Sequence, residues 1–138
     1  MARRRYAWTE KRIAKFMREG RGLGTGASYT PWLNVSDIPS LGRSHRLFWP
    51  VTGRAHHLLS DLEYYAFLRK CYDDSTLDIR EQFPLPRQET LKIAAELGVR
   101  HPKINGVNIV ATTDLLGQRF HGLNHIRLPR RACMTKCG

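Results

Sequence analysis

The sequence has few cysteines, few acidic residues and no long hydrophobic run. No apolar stretch approaches the roughly 18 residues that suggest a membrane span, so we expect no membrane association. The basic start, Met1–Tyr6, has no apolar stretch behind it, which argues against a secretory signal. Three cysteines are an odd number and too few for a disulfide scaffold, and they favour a reducing, intracellular setting.

Positive charge is abundant but unevenly distributed. Lys and Arg number 23 against 12 Asp and Glu, which gives a formal net charge of +11. The last 22 residues contain five basic residues and no acid, so this tail alone contributes +5 and residues 1–116 contribute +6. Hydrophobic residues make up 41% of the chain, which excludes a wholly disordered basic tail. A surplus of this sign is typical of proteins that bind a polyanion, most often nucleic acid.

Periodicity and capping signals predict a small mixed α/β (α+β) domain. Helices are expected over 9–19, 61–71 and 88–97, a hairpin over 44–58, and strands over 77–83 and 107–113. Leu77, Ile79 and Phe83 are expected on one strand face, and Cys71 falls on the apolar stripe of its helix as a small buried hydrophobe rather than a nucleophile. At least one more strand is needed after Asp114. The apolar pattern ends at Leu116, so we expect a domain over 1–116 and a basic tail over 117–138 outside the fold.

Two groups of cations are candidates for contacts with DNA. Lys11, Lys15 and Arg18 share one face of the first helix. Arg43, Arg46 and Arg54 crowd the hairpin together with histidines and a tryptophan, a mixture that suits phosphates and bases. For the helix face, a solvated surface and a phosphate-facing edge both remain open from the sequence.

Glu63 and Asp114 are the candidate carboxylates for chemistry. Glu63 falls in the first turn of the 61–71 helix, and Asp114 falls at the predicted exit of a strand. A catalytic Mg²⁺ prefers oxygen ligands and typically takes only one or two carboxylates from the protein. Each acid also has a structural interpretation, because Ser60 to Glu63 fits a capping box and Asp114 could be a turn residue that closes its strand.

Several long and unusual strings resemble the TnsA-type endonuclease of heteromeric bacterial transposases. The resemblance covers roughly residues 10–116. The matching strings are Arg18–Gly24, Tyr29–Leu33, Gly42–Arg46, Gly53–Glu63, Leu77–Leu85, His101–Pro102 and Thr112–Leu116.

The resemblance implies a restriction-endonuclease-like core in which Glu63 and Asp114 bind Mg²⁺, with Mn²⁺ as a possible substitute. It implies a subunit that nicks DNA at transposon ends by phosphodiester hydrolysis. A separate recombinase subunit would join strands, and an ATP-dependent regulator would control both. The implied location is the bacterial cytoplasm, at the nucleoid.

The chain departs from the family pattern after Leu116. There the family has a strand with Gln-x-Lys, whose lysine helps to activate the attacking water. Gln118 to Phe120 is no substitute, and Lys136 lies near the end in no expected strand. We therefore expect a core that is incomplete on its C-terminal side, through frameshift or truncation, and no significant cleavage. The alternative function is a non-catalytic basic module that binds DNA or the partner transposase subunit.

The tail contains four potential zinc ligands, His121, His125, Cys133 and Cys137. Their spacing matches no common zinc finger, and Pro129 with an Arg-Arg pair lies in the gap. We do not expect a zinc site here.

Overall fold

The computed structural model describes residues 7–38, 42–120 and 135–136 of the chain. The three helices within these ranges are α1 (Glu10–Arg18), α2 (Asp61–Cys71) and α3 (Arg87–Glu96), and a short 3₁₀ turn spans Gly26–Ser28. The strands are β1 (His45–Trp49), β2 (Arg54–Leu58), β3 (Thr76–Pro84), β4 (Lys103–Ile104), β5 (Val107–Asn108), β6 (Thr112–Arg119) and β7 (Thr135–Lys136). The expected mixed α/β fold is confirmed.

Local capping signals set the starts of α1 and α2. The hydroxyl of Thr9 accepts from the backbone N–H of Arg12 at 3.2 Å, and Ser60 accepts from that of Glu63 at 3.2 Å. Each bond satisfies one of the backbone donors that a helix start leaves unpaired. The α1 stripe buries Ile13 and Phe16, and α2 spans the predicted residues 61–71.

The strands form three small antiparallel sheets. β1 pairs with β2 on one side and with β7 on the other, so β1 is the central strand of its sheet. β4 and β5 form a hairpin around the expected turn at Asn105 and Gly106. Lys136 therefore lies in a strand, contrary to our expectation, because the backbone of β7 pairs with Leu47 and Phe48.

The sheet of β3 and β6 differs from the sequence prediction in two ways. The strand predicted over 107–113 is interrupted, and β6 instead runs from Thr112 through Asp114 to Arg119, paired with β3 along most of its length. An irregularity between Thr76 and Asp78 breaks the alternation, so Leu77 is exposed rather than on the buried face of Ile79.

Two hydrophobic clusters form the core. The first lies around α1 and contains Trp8, Ile13, Phe16, Trp32, Leu33 and Val110. The second joins the β1–β2 hairpin, α2 and β3, and contains Leu47, Trp49, Leu58, Phe67 and Ile79. Cys71 packs against the second cluster as expected, and burial raises the pKa of its thiol to about 12. No helix in the described ranges is long and apolar enough to cross a bilayer.

Candidate active site

Glu63 lies in the first turn of α2, and its carboxylate accepts three hydrogen bonds. Oε2 accepts from the backbone N–H of Leu59 at 2.9 Å and from Nε2 of Gln82 at 3.2 Å. Oε1 accepts from the hydroxyl of Ser60 at 3.3 Å. An ionised carboxylate has about four lone-pair positions, so these donors leave about one position for another partner.

The capping box predicted at Ser60 is only half formed. Ser60 accepts from the N–H of Glu63 as a capping box requires, but Glu63 reaches back to the N–H of Leu59, one residue before the cap. Helix capping therefore accounts for part of the environment of Glu63. The hydrogen bond from Gln82, which belongs to β3, is a tertiary contact that capping does not require.

Gln82 connects Glu63 to the strand that contains Asp114. The Gln82 side chain is buried, with 3% exposure, and its Oε1 accepts from the hydroxyl of Thr112 at 3.1 Å. Thr112 is the first residue of β6, two positions before Asp114. The side chain of Gln82 thus links the first turn of α2 to the start of β6.

Asp114 is the third residue of β6 and is exposed to solvent. Its neighbours Thr113 and Leu115 pair with Phe83 and Glu81 of β3. The interpretation of Asp114 as a residue that closes a strand is therefore wrong, because β6 continues to Arg119. Within the described residues, the Asp114 carboxylate has no hydrogen-bond or ion-pair partner.

Glu63 and Asp114 are carboxylates, the chemical type of ligand that a hydrated Mg²⁺ takes from a protein. Over the described ranges, no group of three or more His, Cys, Asp or Glu side chains could hold a metal ion. Mg²⁺ keeps several waters and needs only one or two carboxylates. The Glu63 carboxylate has about one acceptor position without a donor, and the Asp114 carboxylate accepts no hydrogen bond from the described residues. Both side chains therefore have oxygen atoms of the kind that Mg²⁺ binds.

Arg54, a candidate DNA ligand, points into the interior instead of to solvent. Its guanidinium makes two hydrogen bonds of 2.8 Å to the carboxylate of Glu81, and further bonds to the backbone carbonyls of Gly26 and Ile79 at 2.9 Å. The Arg54 side chain is 9% exposed, and that of Glu81 is 0% exposed. Because the N–H donors of its guanidinium bind partners inside the protein, Arg54 is not available to contact phosphates.

His56 completes this buried cluster around Glu81. Its Nδ1 lies 2.9 Å from Oε2 of Glu81 and its Nε2 lies 2.7 Å from the hydroxyl of Thr52. Burial lowers the pKa of His56, so the ring is neutral and donates from Nδ1 to the carboxylate. Burial raises the pKa of Glu81, but the hydrogen bonds from Arg54 and His56 outweigh it and lower that pKa to about 2.

The remaining candidate cations lie on the surface. Lys11, Lys15 and Arg18 are exposed on α1, with Lys15 3.7 Å from Glu19. Arg43 and Arg46 are exposed before and within β1. These five side chains are therefore accessible to a polyanion.

Sequence reasoning did not single out Glu81 and Gln82. The signal available for them was the run of three polar residues, 80–82, between the apolar Ile79 and Phe83. Such a run has no obvious purpose unless partners come from elsewhere in the fold. The four potential zinc ligands, His121, His125, Cys133 and Cys137, lie outside the described residues.

Comparison with known proteins finds a relative of this chain. No family model matches the chain. The chain is similar to the transposon Tn7 transposition protein TnsA of Escherichia coli, with 51% identity over 116 residues. The match covers 84% of this chain and 42% of the relative, so the chain spans less than half of that protein's length. Identity at this level over 84% of the chain, together with the mixed α/β fold, supports a TnsA-type protein over the matched part of the chain.

Proposed function

We propose that this chain forms the core of a divalent-metal-dependent DNA endonuclease subunit of a heteromeric transposase. The observation that supports it most directly is the link from Glu63 through Gln82 to Thr112, which joins the two elements bearing the candidate carboxylates. The similarity to a transposition protein supports the setting. A restriction-endonuclease-like core over 1–116 and a basic tail over 117–138 are parts of the same proposal, with the correction that the tail is not wholly outside the fold, because β6 continues to Arg119 and Thr135–Lys136 pair with β1.

In this proposal, Glu63 and Asp114 hold a Mg²⁺ ion, with Mn²⁺ as a substitute. When bound, such an ion stabilises charge on the scissile phosphate and lowers the pKa of its water. The protein's contribution is to orient the carboxylates. Three donors restrain that of Glu63, whereas the pairing of β6 with β3 fixes the backbone on either side of Asp114.

The exposed cations would bring this site to DNA. Lys11, Lys15 and Arg18 on α1, with Arg43 and Arg46 near β1, supply the charge that phosphates require. Arg54 is left out of this surface because its donors bind Glu81 and backbone carbonyls. We further propose that the DNA is that of transposon ends. The other partners would be a recombinase subunit and an ATP-dependent regulator in the bacterial cytoplasm, at the nucleoid.

The chain lacks the Gln-x-Lys that the family places after Leu116, so we propose that this copy cleaves DNA poorly or not at all. Among the described residues, β6 has no lysine after Asp114 that could activate the attacking water. The same observation favours the second candidate, a non-catalytic module that binds DNA or the partner subunit through its exposed cations.

Isothermal titration calorimetry with Mn²⁺ tests the proposed site in the full chain. Glu63→Gln and Asp114→Asn should each remove or greatly weaken binding, because each loses a charged oxygen ligand. The control variants Glu96→Gln and Asp74→Asn each remove one negative charge from an exposed position. They should bind Mn²⁺ as the wild type does. Equal binding by all variants, or none by the wild type, would contradict the metal site.

Nicking of supercoiled plasmid DNA separates the two candidate functions. We expect DNA binding without significant nicking in Mg²⁺ or Mn²⁺. Robust nicking that Glu63→Gln abolishes would establish the enzyme and refute the proposed inactivity of this copy. Binding of DNA by a chain that takes up no Mn²⁺ would favour the non-catalytic module.

A further inference from the structure

Gln82 has a backbone conformation that glutamine rarely adopts. Its φ is +45°, in the left-handed region, and it shares this property with only one other non-glycine among the described residues, Asn105 at +51°. Asn105 lies in a hairpin turn, where asparagine tolerates such angles. Gln82 instead lies inside β3, and strain of this kind persists only where the surroundings enforce it.

Hydrogen bonds from an earlier segment of the chain hold the backbone of β3 at Gln82. The backbone N–H of Trp32 donates to the carbonyl of Gln82 at 3.2 Å. The hydroxyl of Tyr29 donates to the carbonyl of Glu81 at 2.9 Å, immediately before it. Both donors come from buried residues, so the unusual φ is fixed by the core and not by a loose turn.

The side chain of Gln82 has a defined orientation. An ionised carboxylate only accepts hydrogen bonds, so the amide NH₂ must face Glu63 and the amide oxygen must face Thr112. The hydroxyl of Thr112 therefore donates to Oε1, at 3.1 Å. The buried amide of Gln82 therefore bonds at both ends, because its NH₂ donates to Glu63 of α2 and its oxygen accepts from Thr112 of β6.

We propose that Gln82 is a positioning residue that fixes the Glu63 carboxylate for a divalent cation and keeps it in register with the strand of Asp114. This inference rests on the proposed metal site. Gln82 binds no metal and contacts no DNA in this scheme. It acts through its hydrogen bond to Oε2 of Glu63. This bond restrains rotation of the carboxylate, so the one unoccupied acceptor position, on Oε1, keeps a fixed direction. Residues that orient metal ligands in this way typically change metal affinity by 10- to 100-fold.

The decisive variant is Gln82→Gly in the full chain. Glycine adopts positive φ without strain, so the backbone is relieved while both side-chain hydrogen bonds are removed. We expect Mn²⁺ affinity to fall about 10-fold, with the cooperative urea transition retained. Asn105→Gly is the matched control, because it makes the same kind of backbone change in the distant β4–β5 turn and should leave Mn²⁺ affinity unchanged.

A second variant guards against loss of folding. Gln82→Asn tolerates the left-handed backbone and keeps an amide, but its side chain is one methylene too short to reach both partners. It should lose Mn²⁺ affinity as Gln82→Gly does. Thr112→Val, which removes only the far end of the link, should give a smaller loss.

The outcomes separate this inference from the metal site itself. If the wild type binds Mn²⁺ through Glu63 and Asp114 but Gln82→Gly binds equally well, Gln82 has no positioning role and the metal site stands. A loss of affinity that only follows the unfolded fraction of each variant shows a purely structural role and overturns the inference. If the wild type shows no Glu63-dependent Mn²⁺ binding, the metal site fails, and the role of Gln82 fails with it.

Discussion

Arg54 and Glu81 meet in the interior through two hydrogen bonds of 2.8 Å, which tie the β1–β2 hairpin to β3. The Glu81 carboxylate also accepts from Nδ1 of His56 and from the backbone N–H of His57 at 3.0 Å. An ion pair at this depth is tolerated because its remaining lone pairs and donors find partners. Glu81 immediately precedes Gln82, so the same cluster fixes the part of β3 that reaches Glu63.

Removal of the arginine should strongly destabilise the protein. Arg54→Met retains much of the side-chain volume but leaves the Glu81 charge buried without its main partner, and such changes cost about 3–5 kcal/mol. Urea denaturation measures the loss. Arg46→Met removes an exposed arginine from the same hairpin and should change the free energy of unfolding by less than about 0.5 kcal/mol. Equal effects of the two substitutions would contradict the buried role of Arg54.

Stability should fall on acidification in two stages. Burial lowers the pKa of His56 below its usual 6.5, so the unfolded chain binds more protons as the pH drops through that value. The pKa of Glu81 is lowered from 4.5 to about 2, so its contribution is present above pH 4.5 and is lost toward pH 2. Urea midpoints measured across this range test both stages.

The histidine stage can be separated by substitution. His56→Gln removes one of the groups that bind protons more readily in the unfolded chain, so it should flatten the decline below about pH 6.5. The decline below pH 4.5, which comes from Glu81, should remain. A His56→Gln curve parallel to that of the wild type at every pH would show that His56 does not contribute.

The exposed face of α1 should contribute specifically to DNA binding. Replacement of Lys11, Lys15 and Arg18 with Gln should weaken binding and reduce the log–log salt slope by about 0.9 for each phosphate that the protein no longer neutralises. The control replaces Lys92, Arg100 and Lys103, three exposed cations near α3 and β4, and makes the same change in net charge. Fluorescence anisotropy at several salt concentrations measures both. Equal weakening by the two triple variants would show that only net charge matters.

Cys71 should be chemically inert in the folded protein. Burial raises its pKa to about 12, and the thiolate is the reactive form. In a chain with Cys133→Ser and Cys137→Ser, iodoacetamide near pH 8 should modify native Cys71 at least about 100-fold more slowly than in urea. Mass spectrometry measures both rates. Similar rates in the two conditions would place the thiol at the surface.

The local elements were largely predictable because their signals lie within a few residues. Ser60 and the apolar spacing of α2 define a helix with the bounds that the structure shows. The turn at Asn105 and Gly106 follows from the backbone angles that those residues favour. Strand limits were less predictable, since β6 extends past Leu116 only because β3 offers a partner up to Thr76.

The candidate site was predictable only in part. Glu63 and Asp114 were candidates from their placement in the sequence, and a resemblance to a known family favoured their metal-binding roles, which stay proposals. Nothing in the order of residues showed that Arg54 would turn inward, because its partner Glu81 lies 27 positions away. The local sequence around a cation, here aromatic residues and histidines, does not indicate whether its side chain faces solvent or a buried acid.

By itself, the sequence determined the mixed α/β character, the helix starts and the excess of positive charge, since these depend on composition and short-range spacing. Only the tertiary structure decided which of those charges reach solvent and which residue links Glu63 to β6. The physical reason is that burial and hydrogen-bond partnership are properties of packed elements. Arg54, Glu81 and Gln82 acquire their roles when the β1–β2 hairpin, α2 and β6 close around β3.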